Sequence, residues 1–103
     1  MDNLFAGIPE RLDDELFESI IENEAVTVER IVSRGQRSPA SGWYDQARDE
    51  WVVVLKGRAV LAFERGEEMT LAPGDHVLIP AHVRHRVAWT DPDGPTVWLA
   101  IHY

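Results

Sequence analysis

Past Asn23 the chain reads as short apolar runs cut by turn residues. Residues 25–33 are rich in β-branched side chains, and residues 34–42 form a loop around Gly35, Pro39 and Gly42. Residues 51–56 are apolar on both parities, which predicts a strand covered on both faces. Gly57 breaks that run, residues 58–64 alternate as the next strand, and Arg65-Gly66 is a hairpin turn signal. Further strands are predicted over 69–71, 76–79, 85–90 and 96–103, separated by Pro73-Gly74, Pro80 and residues 91–95. Seven or more short strands with turn residues between them predict a β-sandwich or a closed barrel. Upstream, Leu16, Phe17, Ile20 and Ile21 recur at helical spacing and predict a helix over 13–22. Asp13 is its expected N-cap, Asp14 and Glu15 suit the positive end of its dipole, and Leu12 and Phe17 stand as a hydrophobic staple. The chain divides accordingly into an N-terminal helical lead-in (1–24) and a β body (25–103), with the helix packed across the outside or one end of the body.

Composition narrows the classes. A chain of 103 residues, 45% hydrophobic, makes one domain with a small core. The net charge of −8 and the lack of any Lys/Arg run argue against a nucleic-acid partner. The absence of cysteine excludes disulfides, thiolate metal sites and a cysteine nucleophile, and fits a reducing compartment. The opening residues lack a basic and apolar leader, and no apolar run reaches membrane-spanning length, so a soluble cytoplasmic protein without a membrane partner is expected. There is no glycine-rich phosphate loop and no serine nucleophile elbow, and Lys56, the single lysine, stands at a strand end.

The chemistry concentrates in residues 71–87. A Pro73-Gly74-Asp75 turn feeds an apolar strand, Pro80 ends it, and His82 and His85 follow three residues apart. Neutral imidazole is a common ligand for first-row metals. His85, Val87 and Trp89 share a strand parity that points to the interior.

These residues resemble the two sequence motifs of the cupins. Gly74, Pro80 and His85 match the second motif, and Glu50 with Gly57 match the end of the first. The segments 42–46 and 49–57 look like those of a small single-domain bacterial cupin. The resemblance covers residues 25–103 and implies a mainly β, double-stranded β-helix (jelly-roll) barrel, here with one N-terminal helix. It leaves function open, because cupins include isomerases, epimerases, dioxygenases, sensors and storage proteins. The family's first motif usually carries two histidines ahead of its glutamate. Depending on the spacing, those positions here are Tyr44 and Gln46, or Trp43 and Asp45, and neither choice contains a histidine.

The resemblance therefore implies an altered metal site. Glu50 and His85 would anchor the ion, and Asp45 or Gln46, with His82, would complete a mixed nitrogen and oxygen set suited to Fe, Mn, Ni or Zn. Tyr44 and Trp89 are candidates to line a small-molecule pocket, and Arg48 to bind an anionic group on its ligand, with Arg84 flanking the same region. The simpler readings stand beside these: Glu50 as the hydrogen-bond partner of a metal-free His85, His82 as an exposed turn residue, His76 on the outer surface, and His102 as structural. Two functions follow: a metal-dependent enzyme of isomerase or dioxygenase type acting on a small molecule, or a metal-free binding or sensing domain with a structural His–Glu pair. The resemblance also implies a homodimer, with residues 51–55 and outward options for Val60, Ala62 and Trp98 as its apolar face.

Overall fold

The computed structural model describes residues 2–39 and 41–103. Among these residues there are eight strands: β1 (Leu16–Glu22), β2 (Thr27–Ser33), β3 (Glu50–Lys56), β4 (Ala59–Phe63), β5 (Glu68–Leu71), β6 (His76–Ile79), β7 (His85–Thr90) and β8 (Thr96–His102). They form a five-stranded sheet ordered β1-β2-β8-β3-β6 and a three-stranded sheet ordered β5-β4-β7, with every pairing antiparallel. The inner faces of the two sheets enclose one core, built from Ile31, Val52, Val54, Ala59, Leu61, Phe63, Leu71, Ile79, Trp98 and Ala100. Trp98, considered above for the outer face, is buried in this core.

The helix expected over 13–22 is instead strand β1, an edge strand paired with β2. The register shifts between Ser19 and Ile21, leaving Ile20 as the extra residue of a bulge. Leu16 and Ile21 lie opposite Val32 and Val28, on the outer face, whereas Phe17 lies opposite Ile31, on the inner one. The bulge turns an alternating pattern into apolar positions 16, 17, 20 and 21, which imitates helical spacing. Residues 2–15 contain no helix either, and Arg30 helps to tie them down. Only 8% exposed, it donates to the Leu4 carbonyl at 3.0 Å, to the Ala6 carbonyl, and from Nε to Glu18 at 2.8 Å. No helix among the described residues is long and apolar enough to cross a membrane.

A second irregularity bears on the site. Between β4 and β7 the register shifts at Val60/Leu61, so Ala88 is the extra residue of β7. His85 and Val87 stay on the inner face opposite Phe63 and Leu61, but Trp89 pairs with Val60 on the outer face and is 40% exposed. The shared parity expected for His85, Val87 and Trp89 therefore ends at Val87.

The β3–β4 turn depends on Gly57, whose φ of +86° lies in the left-handed region. A Cβ there would come within 2.5 Å of Thr96 Oγ1, 2.7 Å of Thr96 Cα and 2.8 Å of the Pro95 carbonyl oxygen. Gly57→Ala is expected to cost about 3 kcal/mol or more, combining left-handed strain with a backbone clash. Urea denaturation checks this; a loss below about 1 kcal/mol would mean that the turn relaxes freely.

Candidate functional site

A pocket opens between the sheets at the end of the barrel where β7 begins. The segment leading into β3 forms part of it. Tyr44 N–H donates to the His85 carbonyl at 2.8 Å and His85 N–H returns to the Tyr44 carbonyl at 3.2 Å. Next along, the His82 N–H donates to the Gln46 carbonyl at 2.8 Å, and the Ala81 N–H to Asp49 Oδ1 at 2.8 Å. Asp49 and Tyr103 exchange backbone bonds at 3.0 and 3.1 Å on the β8 side. The two motif segments are thus stitched together, and Tyr44, Gln46, Glu50 and His85 line one cleft of about 520 Å³ including its open mouth.

His85 and Glu50 are both buried. His85 Nδ1 lies 2.9 Å from the Val83 carbonyl, which makes Nδ1 the protonated nitrogen and turns Nε2 into the pocket. Nε2 stands 3.6 Å from Glu50 Oε1, an ionic contact longer than a hydrogen bond. The rings of Tyr44 and Phe63 flank the imidazole, with centroids at 5.7 and 6.2 Å. Burial disfavours the imidazolium, but Glu50 and the Val83 carbonyl outweigh it, and the His85 pKa stands above its ordinary 6.5.

The other expected site residues lie elsewhere. Asp45, next in the chain to Gln46, faces away from the pocket and binds His82 Nδ1 at 2.8 Å and Arg84 Nε at 3.4 Å. The His82 hydrogen bond, with Arg84 adding to it, holds the Asp45 carboxyl below its ordinary value. His82 is exposed and adopts φ +64°, a left-handed conformation that favours glycine. Arg48 donates to Thr27 Oγ1 at 3.0 Å and to the Glu24 carbonyl at 2.8 Å, and so braces the β1–β2 turn. Trp89 faces outward, as described. His76 is exposed on the outer sheet face and accepts from Trp51 Nε1 at 3.1 Å.

The same cleft contains groups that the sequence reading did not select: Glu15, Glu29 and His102. His102, read above as structural, is the register partner of Glu50 on β3, so the two share the inner face. Its Nε2 lies 3.1 Å from Glu29 Oε1. Glu15 is linked to the Ser33 hydroxyl, which accepts from Trp98 Nε1 at 3.3 Å. Burial raises the Glu15 carboxyl above its ordinary value; the Ser33 hydroxyl offsets part of that, and Glu29 adds to it. Strand parity could have found two of them. His102 alternates with Trp98 and Ala100, and Glu29 with Ile31, all facing the core. Among the described residues, no three His, Asp or Glu side chains converge as a ready metal cage.

Comparison with known proteins agrees with this architecture. The family model of the cupin domain matches residues 31–102. No curated protein matches the chain. Among solved structures, a proposed mannose-6-phosphate isomerase from Ralstonia eutropha JMP134 superposes with a TM-score of 0.95 at 48% identity, over 99% of this chain and 95% of that one. A cupin superfamily protein from Desulfitobacterium hafniense DCB-2 gives 0.75 at 22% identity, over 92% and 82%. The Fe(II) form of HppE gives 0.75 at 15% identity over 94% of this chain and 54% of its own, a likeness of fold alone. With a model match over most of its length and two packed antiparallel sheets around one pocket, the chain belongs to the cupin family.

Proposed function

We propose that the pocket binds a small molecule beside a divalent metal ion held by Glu50 and His85, and that the protein isomerises or oxidises that molecule. One observation carries this reading. His85 Nδ1 is anchored on a backbone carbonyl while Nε2 and Glu50 Oε1 face each other at 3.6 Å across the pocket wall. A ligating histidine commonly has its second nitrogen anchored in this way. Two donors on one ion with bonds of about 2.1 Å lie roughly 3–3.5 Å apart, so a small adjustment lets both bind. Gln46 and Tyr44 supply neutral oxygens to the same lining, and Fe, Mn, Ni and Zn accept such a mixed set. When bound, the ion supplies Lewis-acid polarisation of a carbonyl or hydroxyl oxygen. The chain's own part is to hold the ligand against Ile31, Val52, Leu61 and Val87 and to limit the access of water. The isomerase activity proposed for the Ralstonia protein, at 48% identity, supports the same class of chemistry.

A metal-free binding or sensing domain is the second reading. What favours it is that, among the described residues, no third acidic or histidine ligand joins Glu50 and His85.

Elemental analysis separates the two. Protein stripped of metal and then incubated with Fe(II), Mn(II), Ni(II) or Zn(II) is expected to retain one ion per chain. Glu50→Ala and His85→Ala are expected to weaken binding by about 100-fold or more, since loss of even a supporting contact to a ligand costs 10–100-fold. Wild-type protein that retains none of the four ions rules out the metal reading.

The raised pKa of His85 adds a pH signature. A metal must displace its proton, so affinity is expected to fall as the pH is lowered through that pKa, above 6.5. In metal-free protein the sign reverses for folding. The protonated pair stabilises the fold fully below 6.5, and this contribution is lost as the pH rises through the folded-state pKa. Urea midpoints near pH ~6 and pH ~9 should differ less in Glu50→Gln than in wild type; equal slopes would mean that the pair is not ionised.

A further inference from the structure

The charged groups lining the cleft are Glu15, Glu29 and Glu50, together with the imidazoles of His85 and His102; no lysine or arginine is among the lining residues. The arginines around it are engaged elsewhere: Arg30 on Glu18 and the N-terminal segment, Arg48 on Thr27 and Glu24, Arg84 on Asp45 and Glu64. A phosphate group is normally met by arginine, lysine or converging backbone N–H groups. Here a dianion would enter a wall of carboxylates at short range.

The same wall suits hydroxyl groups. The Ser33 hydroxyl engages one oxygen of Glu15, and His102 engages one oxygen of Glu29. Among the described residues the second oxygen of each carboxylate has no protein partner, and carboxylate oxygens are strong acceptors for O–H donors. Phe17 lies on the inner face of β1 beside them, 53% exposed, and offers a flat apolar surface at the rim. Paired carboxylates next to an exposed ring match a molecule that has hydroxyls along one edge and C–H bonds on one face.

We infer that Glu15, Glu29, His102 and the ring of Phe17 form a subsite for the adjacent hydroxyl groups of an uncharged sugar or polyol, and that the pocket rejects phosphorylated sugars. This inference rests on the small-molecule reading of the cleft and is independent of the metal. It separates this chain from the phosphosugar substrate suggested for the Ralstonia protein. His102 stands in register with Glu50, so the subsite adjoins the Glu50–His85 pair and would present the rest of the ligand to it.

The test uses the full chain, metal-free and zinc-loaded, followed by the NMR signals of the His102 imidazole and the Phe17 ring. Mannose, xylose, glycerol, mannose 6-phosphate and inorganic phosphate are the probes. At least one neutral probe is expected to shift both signals saturably, and mannose is expected to bind at least about tenfold more tightly than mannose 6-phosphate, given two charge repulsions, from Glu15 and Glu29, of about 1 kcal/mol each. Glu29→Gln, and separately Glu15→Gln, should narrow that gap by about fivefold while the methyl spectrum of the core stays unchanged. Mannose 6-phosphate binding as tightly as mannose overturns the inference, and so does silence from all three neutral probes. Neutral-sugar preference in a protein that retains no metal overturns only the metal reading. Phosphosugar preference in a protein that binds metal overturns only the subsite.

Discussion

Two backbone hydrogen bonds between Tyr44 and His85 hold this site together. They join the start of β7, in the small sheet, to the segment that runs into β3, in the large one. The His82–Gln46 bond and the Asp49 contacts with Ala81 and Tyr103 continue the seam to β8. Because residues 44–50 are tied at both ends, Glu50 and His85 come together from different sheets. A pocket lined by side chains of seven strands then needs no helix or lid to define its floor.

Charge is sorted by that seam. Along residues 44–46 the side chains diverge: Tyr44 and Gln46 line the cleft, whereas Asp45 turns out to a surface cluster with His82 and Arg84. The exposed cluster contributes little stability in water but fixes an otherwise strained turn at His82. Inside, Glu50 and His85 are buried without the fuller hydrogen bonding that makes a buried pair stable. A fold selected for stability alone would do better with apolar side chains there.

Most of the barrel was legible in the chain. The boundaries of β4 to β8 follow Gly57, Gly66, Pro73-Gly74, Pro80 and residues 91–95, because positive φ and missing N–H groups end strands locally. Glu50 and His85 were legible from motif spacing, since the turns between the motif residues have nearly fixed lengths. The acidity of the molecule was legible too, although the meeting of Glu15, Glu29 and Glu50 in one pocket was not.

What tertiary structure alone decided came down to parity and partnership. A bulge at Ile20 made a strand look helical, and a bulge at Ala88 turned Trp89 from the interior to the surface. Each bulge exists because a neighbouring strand is there to be mismatched with, and nothing within a strand's own residues announces it. Glu15, Glu29 and His102 are distant in sequence and meet only because β1, β2 and β8 lie side by side. Local residue types determined where the strands begin and end; long-range pairing and its irregularities determined which side chains face the pocket.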